Sequence, residues 1–308
     1  MREEQIVVGE NTEYFLNGSL TLPDNLEGKV PGVVFVHGSG STDMDSNVLA
    51  VRPFRDFAQG LAMQGVASIR YDKRSFAHHN KIRKVIKDFT AWEETIEDAI
   101  LAANLLKADS RIDPDRIFIA GLSLGGMLAP RIDAEGGDFA GIIILAGTPR
   151  RLEVVMRDQL DDPDLKPKGL LMKFVNWRMR KMLPKLENLY EMTDEEARNI
   201  TTFGGLSGLY YKDMGKKQVK EYLAESTKPI LLMHGDADFQ VSTEKDFNQY
   251  KKILSDHPNA TFKLYPNLNH LFMQSVCGKR KCPKEEYGKP QHVEPIVIKD
   301  MATWIKGV

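Results

Sequence analysis

From Gly32 to His37 the chain reads Gly-Val-Val-Phe-Val-His, a short β-branched run with almost no polar interruption. A half-exposed strand would alternate apolar and polar residues, so this run predicts a strand covered on both faces. Similar runs recur at Val66–Tyr71, Arg116–Gly121, Gly141–Gly147, Pro229–Gly235 and Thr261–Pro266. Between them the spacing changes to that of helices. Phe54, Phe57, Ala58 and Leu61 share one stripe within Pro53–Gly65, and Trp92, Ile96, Ala99, Ile100, Ala103 and Leu106 share another within Ala91–Ala108. The stretch from Val293 onward predicts a closing helix. Near the N-terminus, alternation on either side of Gly9-Glu10-Asn11 predicts an antiparallel hairpin. Strands taking turns with helices predict an α/β fold, with a mostly parallel central sheet flanked by helices.

One region breaks the alternation. Between Thr148 and Thr227 the patterns are helical and no strand is predicted. That length is too great for a plain loop between two sheet strands. The predicted organisation is therefore a core of residues 1–147 and 228–308, with 148–227 inserted as a helical cap over the carboxyl edge of the sheet. Ligands of open α/β sheets bind at that edge. Within the cap, "GLLMKFVNWRMRKML" reads most simply as an amphipathic helix packed on the sheet. As the wall of an acyl pocket it would offer Met172, Phe174, Trp177 and Met179. With Lys173, Arg178, Arg180 and Lys181 it would suit a membrane surface instead.

Composition narrows the partners. The chain has 308 residues, Lys+Arg 42 against Asp+Glu 43, and a formal net charge of -1, which gives no support for nucleic acid as a partner. No run reaches the length of a membrane span, and the first residues lack the apolar segment of a signal peptide. The expectation is a soluble, cytoplasmic protein without stable membrane insertion. Two cysteines do not make a disulfide scaffold. Cys277 and Cys282 with His292 suggest a metal site, but no fourth ligand is evident. A pair of thiols in a basic loop, with no metal, is the plainer expectation. The lysines and Arg280 nearby would lower a thiol pKa.

The strand at Arg116–Gly121 runs into "GLSLGGMLAPRI", a glycine-rich turn that opens a helix. A dinucleotide fingerprint needs glycine where Ser123 stands, because a side chain there blocks the approach of a pyrophosphate. A phosphate loop needs lysine after its last glycine, and Met127 follows Gly126. What remains is G-x-S-x-G, Gly121 to Gly125, a strained strand-to-helix turn that exposes a serine above the sheet. The plain alternative is a small residue capping the following helix. A nucleophilic serine needs a base and an orienting carboxylate, which follow in the order acid, then histidine. "HGDADFQV" offers Asp236 and Asp238 after one predicted strand, and "NLNH" offers His270 after the next. His37 and His234 each end a strand and look structural. Backbone donors for an oxyanion are expected at Leu124, directly after the serine, and in the loop "VHGSGSTDMD". In that loop Ser39 is the first choice and Gly40 the second.

Together "HGSG", "GLSLGG", "HGDADFQV" and "NLNH", in that order, resemble the α/β-hydrolase superfamily. The wider stretches "VHGSGSTDMD", "RYDKRS" and "LAGTPR" resemble a bacterial serine-esterase branch, acyl- and cinnamoyl-esterase-like or dienelactone-hydrolase-like. Dienelactone hydrolases carry cysteine at the elbow, so Ser123 does not imply their chemistry. The resemblance implies Asp238 rather than Asp236 as the acid. It also implies a serine hydrolase acting on a small-molecule ester, with no cofactor. A thioesterase, a small-peptide or aminoacyl hydrolase, and a non-catalytic binder on the same fold are the alternatives.

Overall fold

The computed structural model describes residues 1–161, 169–202 and 205–308. Eight strands form one sheet: β1 Arg2–Val8, β2 Leu16–Leu22, β3 Val30–Val36, β4 Ala67–Tyr71, β5 Ile112–Leu122, β6 Gly141–Leu145, β7 Ile230–Gly235 and β8 Ala260–Tyr265. Their spatial order is β1-β2-β4-β3-β5-β6-β7-β8. β1 and β2 pair antiparallel, as do β2 and β4, and every other neighbour is parallel. The hairpin and the parallel core thus lie where the hydrophobic pattern predicts them.

Helices fill the connections: α1 Pro53–Met63, α2 Arg74–Ala77, α3 His79–Val85, α4 Glu97–Ala108 and α5 Leu124–Ile132. α6 Leu152–Asp161, α7 Leu170–Glu187, α8 Asp194–Arg198, α9 Gly208–Gly215 and α10 Val219–Glu225 all fall between β6 and β7. α11 Asn248–Ile253, α12 Pro283–Tyr287 and α13 Pro295–Gly307 complete the chain. Among the described residues of 148–227 the β pairing is a single bridge, Thr201 to Ser207.

The central strands are buried on both faces, and alternate residues serve different cores. Val34, Val36, Ile117 and Ile119 pack with α4, α5 and residues of α7, α9 and α10. Val33, Phe35, Phe118 and Ala120 pack with α1 and α13. Each strand residue therefore has a fixed partner layer, and a slip of one position would exchange the two layers.

One stripe differs from its pattern. The spacing puts Trp92 on a buried face, yet Trp92 is 36% exposed. A π-helical turn at Trp92–Ile96 precedes α4 and rotates the register there. Glu94 and Asp98 are turned inward instead. Asp98 is met by Arg74, whose Nε donates to both carboxylate oxygens at 3.1 Å, while its Nη2 also bonds Glu97 at 2.6 Å. Arg74 and Asp98 are both buried, so removing one partner strands the other in a low-dielectric site. Arg74→Met is expected to lower the unfolding free energy by about 3–5 kcal/mol. Urea unfolding of the variant beside wild type checks this, and a change below about 1 kcal/mol would contradict it.

Candidate active site

β5 ends in Leu122, and Ser123 follows with φ 56° and ψ -113°, a conformation that L-residues avoid. Two close backbone approaches force the turn. A Cβ on Gly121 would lie 2.1 Å from the Gly125 carbonyl oxygen, and one on Gly125 would lie 2.3 Å from that of Val36. Neither position admits any other residue without moving backbone. The turn is held by the Ser123 N–H, which donates to the Leu145 carbonyl at 2.8 Å. Helix α5 starts at Leu124, so that amide belongs to the first turn and has no acceptor within the helix.

The loop after β3 lies beside the serine. A Cβ on Gly38 would come within 3.2 Å of the Ser123 Cβ, and Gly40 has φ 91°. Four hydrogen bonds fix this loop. His37 Nε2 donates to the Tyr71 carbonyl at 2.6 Å, leaving Nδ1 to accept from the Thr42 hydroxyl at 3.2 Å. Lys73, buried and ion-paired with Glu94 at 3.4 Å, donates from Nζ to the Gly38 carbonyl at 2.9 Å. Its own N–H reaches the Thr42 carbonyl. Lys73 stands within "RYDKRS", and its place two residues beyond a buried strand is the sequence signal for it.

Asp238 and His270 come from the loops after β7 and β8, at the same sheet edge. Both are buried, and His270 Nδ1 bonds Asp238 Oδ2 at 2.6 Å. The other carboxylate oxygen accepts the N–H groups of Gln240 at 2.7 Å and Val241 at 3.0 Å. Burial opposes the charge on Asp238. The His270 and His234 imidazoles and the Val241 amide outweigh it and hold the carboxyl below its ordinary value. Asp236 faces elsewhere and accepts the N–H of Asn267 at 2.6 Å. Burial lowers the pKa of His234, and its Nε2 lies 3.2 Å from the Val241 carbonyl.

Ser123 and His270 line one cavity of about 500 Å³. Gly38, Ser39 and Leu124 border it, and Leu152, Val155 and Met156 of α6 with Tyr211 of α9 give it an apolar wall. The wall is not the predicted one. Phe174 and Trp177 are half-exposed, stack on each other at 5.8 Å, and Trp177 carries Lys181 4.2 Å above its ring. Met179 is partly buried but does not border the cavity, and the side chain of Met172 lies outside the described residues. The reason is the layering: α6 packs on α7 and takes the position facing the serine. The root of α6 is pinned by Arg150, which bonds Asp246 through Nε at 2.7 Å and Nη2 at 2.9 Å.

Cys277 and Cys282 form a disulfide rather than a pair of thiols. Five residues apart on one tight loop, they are brought within bonding range by the turn. His292 does not join them and bonds Asp56 at 2.9 Å instead.

Residues 32–275 match the sequence model of a family described as serine aminopeptidase, S33. The chain belongs to that family. Over 291 residues this S33 chain is 35% identical to esterase EstD of Thermotoga maritima, an alignment that takes in 94% of the chain and 65% of that relative. The chain thus spans less than two thirds of the relative's length. Among solved structures it is similar to Est1E from Butyrivibrio proteoclasticus, with TM-score 0.60, 17% identity and 99% of each chain covered. It is also similar to a dienelactone hydrolase from Anabaena variabilis, with TM-score 0.55, 16% identity, and 99% and 97% covered. These likenesses establish the α/β-hydrolase fold. Among the described residues of the S33 chain, no helix is long and apolar enough to cross a membrane.

The buried His37 generates a pH effect on stability. Burial lowers its pKa from the ordinary 6.5 to about 4, with the Tyr71 carbonyl partly offsetting that. Unfolded chains take up a proton at this residue below pH 6.5, whereas folded ones do so only near pH 4. Stability from this group is therefore full above pH 6.5 and is lost as pH falls to 4, by roughly 3 kcal/mol. In denaturant titrations across that range, His37→Gln is expected to have a shallower acid limb than wild type. Parallel limbs would assign the acid sensitivity to other groups.

Proposed function

We propose that this chain is a serine hydrolase that cleaves carboxylic esters of small or medium acyl groups. The hydrogen bond of 2.6 Å between His270 Nδ1 and Asp238, with Ser123 in a strained turn on the same cavity, carries the reading. In the proposed cycle His270 takes the Ser123 proton through Nε2 as Oγ attacks the ester carbonyl. Asp238 fixes the tautomer and stabilises the imidazolium that forms. The tetrahedral oxyanion is received by the N–H of Leu124 and by that of Ser39, or of Gly40 as second choice. His270 then gives its proton to the departing alkoxide. Water, deprotonated by the same imidazole, releases the acid from the acyl-enzyme.

The helical insertion, residues 148–227, serves as a lid in this reading, and α6 sets the acyl side. Leu152, Val155 and Met156 offer apolar contact in a cavity of about 500 Å³, which in this reading takes acyl groups of small or medium size. Methionine there accommodates varied shapes. The esterase name of the Thermotoga maritima relative supports the ester class. A second reading, hydrolysis of aminoacyl amides or small peptides, is favoured by the description of the S33 family.

A panel of p-nitrophenyl acyl esters, acyl thioesters and aminoacyl amides separates these readings. Ester hydrolysis is expected to peak at short to medium acyl length and to vanish in Ser123→Ala. Asp238→Asn should retain the fold and lower kcat by about 10⁴-fold, because the imidazole then sits in the wrong tautomer. If neither ester turnover nor fluorophosphonate labelling depends on Ser123, the serine-hydrolase reading is wrong. A preference for aminoacyl amides over esters would select the second reading.

A further inference from the structure

Glu286 has no part in the cycle above, yet its carboxylate is completely buried. Among the described residues no lysine or arginine reaches it. Its charge is met entirely by hydrogen-bond donors. Oε1 accepts from the Ser275 hydroxyl at 2.6 Å, the Val276 N–H at 3.1 Å and the Cys277 N–H at 3.0 Å. Oε2 accepts from Asn269 Nδ2 at 2.8 Å. A buried carboxylate without a cation is costly, and an apolar residue of similar volume would serve a purely structural purpose at least as well.

The bond to Asn269 is what distinguishes the arrangement. Asn269, also fully buried, immediately precedes His270. Its Oδ1 accepts the N–H groups of Leu271 at 3.0 Å and Met273 at 3.2 Å, so its amide spans the turn that carries the imidazole. That turn is strained, with Phe272 at φ 61°. An asparagine amide fits there in one orientation only. Oδ1 must face the two backbone donors, and Nδ2 must therefore face an acceptor. Glu286 supplies that acceptor and fixes the orientation.

We propose that Glu286 is a positioning residue for His270, acting through Asn269 to hold the imidazole in line between Asp238 and Ser123. The inference rests on His270 as the base. Glu286→Gln keeps volume and one acceptor oxygen for Ser275, Val276 and Cys277, but it turns an N–H group toward Asn269 Nδ2. Two donors then face each other, and Asn269 can relieve this only by giving up Leu271 and Met273. Adding Asn269→Asp restores complementarity, since a carboxylate accepts both from the new amide and from the two backbone groups.

The test is a double-mutant cycle on the full chain with a p-nitrophenyl ester, read beside proton NMR of the downfield Nδ1–H that His270 shares with Asp238. Glu286→Gln is expected to lower kcat by at least about tenfold with KM changed less than twofold, because a small misalignment acts on the chemical step. The Nδ1–H resonance should shift or broaden without substrate present. Glu286→Gln with Asn269→Asp should recover kcat to within about threefold of wild type, and the resonance with it. Should Glu286→Gln fail to fold, Ser275→Ala removes one donor from the carboxylate and is expected to lower kcat about threefold, again at constant KM. Wild-type kcat and resonance in the single variant would overturn the proposal, as would a double variant no better than the single one. A wild-type chain without ester turnover would instead count against the hydrolase reading, and the NMR arm would still decide the role of Glu286.

Discussion

The site depends on how closely backbone passes backbone at the carboxyl end of β5. Gly121 and Gly125 let the turn fold onto itself and onto the Val36 carbonyl, at separations no Cβ would permit. That contact lifts Ser123 above the sheet, starts α5 with a free amide at Leu124, and draws the Gly38 loop alongside. The strain at Ser123 persists because continuous strands on both sides over-determine it. Leu145 anchors its N–H from one neighbour, while β3 abuts it from the other. Alter that spacing, and the serine, its amide partner and the loop opposite would all lose their positions at once.

Around this fixed point the remaining parts are held by buried polar pairs. Lys73 with Glu94 secures the loop beside Ser123, and Arg150 with Asp246 secures the root of α6. Arg131 extends the scheme by bonding Asp213 of α9 through both terminal nitrogens at 3.0 Å. The helical insertion is therefore tied to the sheet at its base, and its apolar residues join the core of one sheet face. Its contribution to the cavity comes from short segments near those ties, chiefly α6 and Tyr211.

Legibility in the sequence followed the physics of each element. Strands buried on both faces leave unbroken apolar runs, so β3 to β7 and the turn at Ser123 could be read directly. Chain order and strand ends restricted the candidate acid to Asp236 or Asp238 and pointed to His270 as the candidate base, while the choice of Asp238 came from the family resemblance. Trp92 was misleading because a π turn shifts the register without leaving a mark in the spacing. In the insertion, "GLLMKFVNWRMRKML" has the more conspicuous apolar residues, yet the plainer "LEVVMRDQL" forms the wall. Which helix faces inward is settled by packing of one on the other, and periodicity within each is silent on that. Glu286 was invisible for a related reason: its partner lies 17 positions away and nothing local distinguishes it from a surface glutamate.

The order of strands has a consequence during synthesis. From β5 onward, each new strand is laid beside the previous one, ending with β7 and β8 at the far edge. A ribosome therefore releases Ser123 long before the segments bearing Asp238 and His270. Domains fold progressively as they emerge, so the early chain can form its central strands while its hydroxyl has no imidazole beside it. On the proposed cycle, a nascent chain, or one cut short within the helical insertion, carries Ser123 without its base, and ester cleavage awaits the segments bearing Asp238 and His270.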